Sequence, residues 1–427
     1  MKKRMLLSLL IGIGHMALAQ RPPVLLDPAT AKDTTLSCIF EETEIIPLET
    51  TRQSTFGIIS QLVVTNQYFI ILDTDTDAVL FFNRQGKFII KYKNKPNRYR
   101  INFIQPDNDH HALLIFSQNR NYTLTAARLQ GFLAKGPGAL LSTRVMATRL
   151  YLNSLDSLYT ETLPPSTYLL TNPVALGTGR FAFSFIRSDG KNTGTQDYAL
   201  KMMNNGNITQ QFFPYHTKTD SVFYGPAAYQ CSFFPTLNDS VFFISRPAQP
   251  CIYRLTPGSL TEAYQITGPK TEHASATPEA FSFTAADRIT ISGITITSAR
   301  SGRKDNLFLS NTNTVNNFID QKRFLFFNVR QAMGYYNYYV FDKKEQMLYN
   351  RNKLKADSSC YPFPLQGPVL AFDEKNIYQG LSPRALFNLK KSAGSTRLHY
   401  EKSLSRFYDT GKPENNPVIL RLKTKED

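Results

Sequence analysis

The chain contains 427 residues, carries a formal net charge of +16 at pH 7, and is rich in Phe (31) and Tyr (22) while lacking Trp. This length fits two domains or one large all-β domain, and aromatic side chains favour half-buried strands. The four cysteines are too widely spaced for a small disulfide scaffold, and no Cys-x-x-Cys pair indicates a zinc site.

The first 20 residues have the pattern of a secretory signal peptide. A basic start, MKKR, precedes an apolar run over residues 5–16 and the small-x-small sequence ALA before Gln20. We therefore predict a signal peptide over residues 1–19, cleavage between Ala19 and Gln20, and export to the periplasm or cell surface. No Cys follows the cleavage site, so lipoprotein processing is not indicated. No later apolar run is long enough for a transmembrane helix.

The positive net charge of the chain bears on which partners it could bind. Cleavage at Ala19 would remove Lys2, Lys3 and Arg4 and leave a net charge of +13. Nucleic acid is not an expected partner of an exported protein, whereas anionic headgroups and acidic polysaccharide are accessible to it. We favour the alternative that the charge is spread over the surface and serves solubility. The densest basic run, KYKNKPNRYR at residues 91–100, contains Pro96 and is predicted to be an exposed loop.

Three alternating aspartates in ILDTDTDAVLFFNRQGKFII, residues 71–90, resemble the head of a calcium loop. An EF-hand loop needs Gly at its sixth position and Glu at its twelfth. Counting from Asp73, these positions hold Ala78 and Arg84, so we reject a calcium site. Three apolar runs separated by an Asp-rich turn and a turn ending in Gly predict a meander of three strands instead, at residues 68–72, 78–82 and 87–90.

The strand–turn–strand phrase recurs at residues 197–213, 250–266 and 338–349. The four turns, centred on Gly86, Gly206, Gly258 and Lys344, lie 120, 52 and 86 residues apart. A basic step of about 50 to 60 residues fits if some copies are too diverged to recognise and one is enlarged. Repeated meanders of this size predict a β-propeller, with a pair of extended β-sandwiches as the alternative.

Several phrases resemble the six-bladed β-propeller family of Gram-negative envelope proteins, which is related to NHL-repeat propellers. They are IIPLETT (45–51), the meander at 71–90, the segment 321–350, the segment 366–389 and ENNPVILRLK (414–423). The resemblance implies an all-β fold, a single six-bladed propeller over residues 20–427. Two departures are the missing lipobox Cys and AKGPGALL (134–141), which keeps Lys-Gly-Pro-Gly but lacks the Glu-Tyr of the related proteins.

The same resemblance divides the chain into an extended N-terminal lead (20–40), a helical insert (382–410) and a closing strand (416–423). We expect residues 418–423 to pair with a strand near residues 44–48, because a propeller that does not close leaves sheet edges exposed. Two short helices should precede the closing strand and pack on the rim. Their signals are Ser382, Pro383 and Gly394 as boundaries of the first, and Tyr400, Leu404 and Phe407 as one face of the second.

Catalytic and cofactor motifs are absent from the sequence. His110-His111 lies in the polar turn QPDNDHHALL, where a solvated pair is more plausible than a metal site, and no H-E-x-x-H occurs. There is no G-x-S-x-G elbow and no Walker loop. LGTGRFAF, residues 176–183, contains G-x-G but no following helix, so we reject a nucleotide site. We assign no catalytic, cofactor-binding or metal-binding residue.

Two groups of residues keep alternative interpretations. Asp73, Asp77, Asp342 and Asp373 follow predicted strands, where they either serve turns, as we favour, or point into a central channel as paired acids. The tyrosines of GYYNYYVF (334–341) either pack between blades, as we favour, or stack on sugar rings.

The pairing of the cysteines is also open. Bridges Cys231–Cys251 and Cys38–Cys360 are permitted in an oxidising compartment, and buried free thiols are an equal alternative.

These observations predict a binding or scaffold protein of the cell envelope that recognises a protein partner or a glycan. Relatives implied by the resemblance are often encoded near outer-membrane uptake systems. The alternative is an enzyme acting on a carbohydrate or lactone in the central channel, which requires at least two convergent carboxylates or three metal ligands with shifted pKa values. A third possibility, a structural partner of an outer-membrane complex, requires an exposed apolar patch.

Overall fold

Six antiparallel sheets surround a common axis, so the fold is an all-β six-bladed propeller and the β-sandwich alternative is wrong. The structure, a computed structural model, describes residues 24–94, 99–119, 145–163 (except 154, 156 and 157), 173–184, 198–214, 231–246, 251–266, 289–291, 294–296, 314–330, 336–357 (except 356), 367–392 and 402–426. Several predicted features lie outside these ranges: the signal peptide with Ala19 and Gln20, the AKGPGALL segment, Cys360, Gly394 and Tyr400.

Blades 1 to 3 are each a meander of four consecutive strands. Blade 1 consists of β3 (Gln61–Val64), β4 (Tyr68–Asp73), β5 (Ala78–Asn83) and β6 (Phe88–Tyr92). Blade 2 consists of β7 (Tyr99–Asp107), β8 (Ala112–Asn119), β9 (Val145–Tyr151) and β10 (Thr160–Thr162). Blade 3 consists of β11 (Pro173–Ala175), β12 (Arg180–Ser184), β13 (Tyr198–Asn204) and β14 (Asn207–Pro214).

Blade 4 incorporates the N-terminal strand β1 (Val24–Leu26) and blade 6 incorporates β2 (Phe40–Pro47). Blade 4 consists of β15 (Ser232–Pro235), β16 (Phe242–Ser245), β17 (Cys251–Leu255), β18 (Leu260–Ile266) and β1. A separate hairpin, β19 (Ile289–Ile291) with β20 (Ile294–Ile296), follows it. Blade 5 consists of β21 (Thr314–Asp320), β22 (Phe324–Arg330), β23 (Tyr336–Asp342) and β24 (Met347–Asn350). Blade 6 consists of β25 (Ala371–Phe372), β26 (Asn376–Leu381), β27 (Val418–Thr424) and β2.

The core is divided among the six interfaces between neighbouring blades, with one buried apolar cluster in each described interface. Strand β4 shows how the sequence supplies two of them. Its alternate residues Phe69 and Ile71 pack toward blade 6, while Ile70 and Leu72 pack toward blade 2. Because side chains alternate across a strand, a strand buried on both faces needs a continuous apolar run. This explains the uninterrupted pattern at residues 69–72.

The first strand of each blade lies innermost. Strand β3 contacts β25 and β7, β7 contacts β11, and β15 contacts β21. Side-chain amides join some of these strands by a two-point hydrogen bond that imitates a backbone pair. Gln61 binds the N–H and C=O of Ile104 at 2.9 and 2.6 Å, and Gln105 binds those of Ala175 at 2.9 Å each. Asn317 binds Val369 in the same way at the junction of blades 5 and 6.

The two ends of the chain close the ring as predicted. Strand β27 pairs antiparallel with β2, with Arg421 opposite Glu44 and Val418 opposite Pro47. Just before β27, the side chain of Asn416 donates to the carbonyls of Glu49 and Ser54 at 2.8 and 2.9 Å. Its Oδ1 accepts from the Phe56 N–H at 3.1 Å. The phrases IIPLETT and ENNPVILRLK are therefore direct hydrogen-bonding partners.

Residues 24–39, which we call the N-terminal strap, run along the outer edges of blades 4 and 5 before entering β2. Strand β1 pairs parallel with β18, and Leu26 is buried between blades 4 and 5. Farther on, the Lys32 N–H donates to the Leu348 carbonyl at 2.8 Å, and the Leu36 N–H donates to the Lys355 carbonyl at 3.0 Å. The strap thus covers sheet edges that would otherwise be open.

Two helices occur in the described part of the insert before β27. Helix α1 spans Pro383–Ser392 and begins at the predicted residue. Helix α2 spans Lys402–Thr410 and buries Leu404 and Phe407, as the apolar spacing predicts. Both residues join the cluster between blades 5 and 6, and α2 contacts β2, the outermost strand of blade 6. The helices therefore lie on the rim, as expected.

The four recognised turns join the third and fourth strands of blades 1, 3, 4 and 5. The step of 120 residues spans two blades, because the corresponding connection of blade 2, residues 152–159, carries no Gly. The step of 86 residues is long because residues 267–313 separate blade 4 from blade 5. Blade 6 has no such turn, since its fourth strand is the N-terminal β2.

Candidate functional site

A cavity of about 290 Å³ lies where blades 2, 3 and 4 meet, on the face that carries the turns between first and second strands. We call it the three-blade pocket. Three such turns line it, at residues 107–110, 177–179 and 237–240. The inner strand residues Gln105 and Ala175 also line it, which places the pocket beside the central axis. Its volume is near the lower limit for small-molecule sites.

Local sequence explains how the turns leave this space open. Asn108–His110 forms one turn of 3₁₀ helix, which ends at His111 in the left-handed region at φ 48°. Gly177 has φ +111°, a value that side chains other than glycine rarely adopt. A Cβ at this position would lie 3.8 Å from Ser240 Oγ and 3.9 Å from Asp109 Oδ2. The glycine therefore keeps the space between blades 2 and 4 clear.

One side of the pocket is a fixed charge network. The Arg149 guanidinium, on β9, donates to Asp107 Oδ2 at 2.8 Å and to Glu161 Oε2 at 2.9 Å. His110 Nδ1 lies 2.8 Å from Asp107 Oδ1, and the Tyr151 hydroxyl donates to Glu161 at 2.9 Å. Burial opposes the charge of Arg149, but the hydrogen bonds that it donates to Asp107, Tyr151 and Glu161, together with the charge of Asp107, outweigh burial and raise the Arg149 pKa. Arg149 is held by protein carboxylates on two sides.

The opposite side of the pocket holds a carboxylate that, unlike Asp107, has an oxygen without a described hydrogen-bond partner. Oδ2 of Asp239 is buried and has no hydrogen-bond partner among the described residues. Burial raises the pKa of Asp239, and the charges of Asp109 and Asp107 raise it further, against the effect of hydrogen bonds from Asn108. The charged form of Asp239 is thus disfavoured in the folded protein. Perturbed acids in clefts are frequent at functional sites.

Apolar side chains complete the pocket wall. Leu114, Leu163 and Phe181 belong to the buried cluster between blades 2 and 3 and also line the cavity. Leu237 lies on the rim and remains 50% exposed. The pocket therefore combines carboxylates with a hydrocarbon surface, which is the usual composition of a site that orients a small ligand.

Two segments singled out in the sequence meet in this pocket although neither was assigned a role. QPDNDHHALL supplies the turn of blade 2, and LGTGRFAF supplies the turn of blade 3. Sequence reasoning missed the third segment, TLNDS at residues 236–240, which contributes Asp239. Its Asn-Asp pair is ordinary turn chemistry, so nothing local distinguishes it. Within the described residues, no group of three His, Cys, Asp or Glu side chains could hold a metal ion.

The four aspartates considered for the channel make hydrogen bonds at turns, as we favoured. Asp73 accepts from the Asp75 N–H and the Thr76 hydroxyl at 3.1 and 2.6 Å. Asp77 accepts from the Ile101 N–H at 2.7 Å and so connects blade 1 to blade 2. Carboxylates that accept such bonds are structural.

The remaining two aspartates behave similarly. Asp342 accepts from the Arg323 guanidinium and from the N–H groups of Lys344 and Glu345. Asp373 accepts from the N–H groups of residues 375 and 376 and from the Tyr378 hydroxyl, the last at 2.6 Å. Burial opposes both charges, yet these hydrogen bonds lower the pKa of each carboxyl.

The described tyrosines of GYYNYYVF mostly pack, as we favoured. Tyr338 and Tyr339 are buried, and Tyr339 stacks on Phe327 with ring centroids 5.3 Å apart. The guanidinium of Arg351 lies 5.1 Å from the Tyr338 ring centroid. Tyr336 is 37% exposed. The segment is therefore part of the blade interface rather than an open platform.

The proposed Cys231–Cys251 bridge does not form, since both are free thiols. Ser232, next to Cys231, and Ile252, next to Cys251, both pair with Ser245, one from each side of its strand. Two strand spacings therefore separate the two cysteines. That separation is about 9.5 Å, beyond the reach of a disulfide. Cys38 is an exposed free thiol.

Comparison with known proteins agrees with the fold. Residues 24–120 match the model of the DUF5128 family, described as a 6-bladed beta-propeller. A protein of Bacteroides fragilis NCTC 9343 that is described as exported superposes with a TM-score of 0.61 at 14% identity, covering 95% of this chain and all of its own. A DUF4221 family member from Bacteroides vulgatus ATCC 8482 gives a TM-score of 0.43 at 8% identity, covering 91% of this chain and 98% of its own.

No curated protein matches the sequence significantly. Within the described residues, no helix is both long enough and apolar enough to cross a membrane.

Proposed function

We propose that the protein is an exported binding protein of the cell envelope and that the three-blade pocket is its ligand site. The signal-peptide pattern of residues 1–19 supports export, as does the likeness to a Bacteroides protein described as exported. The pocket supports a binding role, because turns from three different blades converge on one cavity beside the axis.

The observation that carries the proposal is the contrast within the pocket wall. Arg149 and Asp107 are bound to each other, whereas Asp239 presents a buried oxygen that no described residue binds. A buried acceptor without a donor destabilises the folded protein by about 1–3 kcal/mol. Asp239 differs from the other buried unpaired groups of the described residues in lining this cavity, where a ligand can supply the donor. A glycan hydroxyl, or a donor group from a protein partner, would satisfy it.

The proposal is tested by filling the pocket. Ser240 lines it beside Gly177, so Ser240→Phe should occupy the space, while Ser259→Phe places the same side chain on an exposed turn of the same blade. The residue 20–427 protein and both variants are assayed by isothermal titration against neutral sugars, amino sugars, amino acids and short peptides.

The expected result is that at least one class binds the wild type and Ser259→Phe, and that Ser240→Phe loses at least tenfold in affinity while keeping its thermal midpoint. Equal binding by all three proteins would place the ligand elsewhere. No binding by any class would contradict the proposal. Fractionation of cells that express the full chain tests export, because a cytoplasmic protein that keeps residues 1–19 would contradict it.

A second candidate function, hydrolysis of a glycoside or lactone, is favoured by one observation. Asp239 has a raised pKa from burial and lies near Asp109 and Asp107, which is the arrangement expected of a general acid beside a second carboxylate. It is tested with chromogenic glycosides and lactones. Turnover by the wild type that Asp239→Asn reduces at least a hundredfold would favour the enzyme, and no turnover would leave the binding role.

A further inference from the structure

We infer that the three-blade pocket binds a primary ammonium group carried on a short apolar stem, an inference that rests on the proposed function and narrows its ligand class. Candidate carriers are a free alkylamine, a lysine side chain of a partner and an amino sugar, and all three present the same ammonium chemistry. Three features of the pocket lead to this class.

The first feature is the balance of charge. Three aspartates line the cavity, and its one arginine, Arg149, is already bound by Asp107 and Glu161 at 2.8 and 2.9 Å. Asp109 and Asp239 form no ion pair with any described residue. The charge that a ligand meets is therefore negative, although the protein as a whole carries +16. A phosphate or carboxylate ligand would be repelled at this position.

The second feature is the demand for hydrogen-bond donors. Asp239 Oδ2 is buried without a described partner, and among the described residues the Asp109 carboxylate receives a single long contact, 3.4 Å from the Thr178 hydroxyl. An ionised carboxylate only accepts hydrogen bonds. An ammonium group supplies three donors and a positive charge, which matches this excess of acceptors. A neutral hydroxyl supplies one donor and no charge.

The third feature is the apolar wall. Leu114, Leu163 and Phe181 line the cavity, and the half-exposed Leu237 stands on its rim. Leu114, Leu163 and Phe181 are buried and Leu237 is 50% exposed, so an alkyl or sugar stem would pack on this wall and cover mainly Leu237, which a bare inorganic cation would not do. The combination of acids and hydrocarbon therefore favours an amine with a carbon chain over a metal ion.

The test measures binding of n-butylammonium and of its neutral isostere n-butanol to the residue 20–427 protein. Binding is detected by ligand-observed saturation-transfer NMR. The pocket variant is Asp109→Asn/Asp239→Asn. The control variant, Asp75→Asn/Asp409→Asn, removes the same charge from two exposed sites, one on the turn between β4 and β5 and one on α2. We expect butylammonium to bind the wild type and the control variant, with at least tenfold weaker binding to the pocket variant and to n-butanol. Thermal midpoints verify folding, and single Asp109→Asn, at an exposed residue, replaces the double variant if that variant does not fold.

The outcomes separate this inference from the proposed function. Equal binding of butanol and butylammonium, or binding of butylammonium that the pocket variant retains, would overturn the ammonium inference. Glucosamine and glucose form the second pair of probes. If glucose binds as well as glucosamine and Ser240→Phe abolishes both, the ammonium inference fails while the pocket remains a glycan site. If glucosamine alone binds and the pocket variant loses it, the inference is supported with an amino sugar as carrier.

Discussion

The junction between blades 6 and 1 and the junction among blades 2, 3 and 4 are both rich in polar side chains, but they are organised in opposite ways. At the first, Asn416 binds three backbone groups, and the Tyr378 hydroxyl links Asp373 to Arg84 at 2.6 and 2.9 Å. At the second, Asp239 keeps a buried oxygen that no described residue binds. Arg84 Nη1 at the first junction is also buried without a described partner, but it lies within the ring closure, whereas Asp239 belongs to the wall of a cavity.

This difference indicates where a functional site is expected in a fold that repeats one unit six times. Polar groups that bond to neighbouring blades specify how the blades assemble. A polar group that lowers stability and assembles nothing is the more informative one, because natural proteins depart from local optimisation mainly at functional sites. The predictions below test whether the two junctions differ in this sense, beginning with the largest expected effect.

Asn416→Leu should destabilise the protein by about 3–5 kcal/mol. The variant leaves the Ser54 carbonyl and the Phe56 N–H without the Asn416 partner, while the Glu49 carbonyl keeps the Ser54 hydroxyl as a donor. Each buried unpaired group contributes about 1–3 kcal/mol. Urea unfolding followed by circular dichroism measures the change. The neighbouring Asn415→Leu is the matched control and should shift the midpoint by much less. Similar effects of the two substitutions would show that Asn416 does not secure ring closure.

Gln61→Leu should destabilise by about 2–3 kcal/mol, because it removes both bonds to Ile104 and leaves one donor and one acceptor unpaired. The same measurement on Gln67→Leu, at an exposed turn residue, gives the control. A loss below about 0.5 kcal/mol would mean that the amide bridge between blades 1 and 2 is replaceable by water.

Tyr378→Phe should destabilise by about 1–2 kcal/mol at pH 7, since the hydroxyl donates to Asp373 and accepts from Arg84. The effect should depend on pH. Burial raises the Asp373 pKa, but the hydrogen bonds, led by that of Tyr378, lower it overall, so Asp373 stabilises the fold above its unfolded pKa and loses this contribution as pH falls.

The difference between Tyr378→Phe and the wild type should therefore shrink in acid. Thermal melts from pH 7 to pH 3 provide the check, with Tyr159→Phe, at a 65% exposed tyrosine, as the control. A difference that stays constant over this range would contradict the role of Asp373.

The closure was predictable from the sequence, and its residues show why. The strands β2 and β27 and the turn at residues 83–86 carry local signals: the apolar alternation of Val418, Leu420 and Leu422 in β27, the Pro that ends β2 and the Gly that ends the turn. Gly86 has φ +80°, and a Cβ there would lie 2.1 Å from the Pro47 carbonyl oxygen, so this glycine is required by the closure itself. Local propensity and ring closure therefore agree at this junction.

The pocket could not be predicted from the sequence, because blades that are distant in the chain bring its residues together. Its residues occupy turns of three blades and are 132 positions apart along the chain, from Asp107 to Asp239. Each turn looks like ordinary turn chemistry when taken alone. Which turns face one another depends on the order of the blades around the axis, and the burial of Asp239 depends on neighbours that its own segment does not contain. Only the turns of QPDNDHHALL and LGTGRFAF stood out in the sequence, and neither was assigned a role.

The smallest expected effect is a gain in stability, from a substitution of Asp239, whereas the substitutions above lower stability. Burial, together with the charges of Asp109 and Asp107, raises the pKa of Asp239 above its unfolded value. Its stabilising contribution is therefore complete below the unfolded pKa and is lost as pH rises through the folded pKa. Asp239→Asn removes this loss, so the variant should be slightly more stable than the wild type at pH 7, by less than about 1 kcal/mol, and equal to it near pH 3. Thermal melts at both pH values measure this, and Asp75→Asn, at an exposed site, should show no such gain. A variant less stable than the wild type at pH 7 would mean that Asp239 is a structural residue like Asp373, and the contrast between the two junctions would disappear.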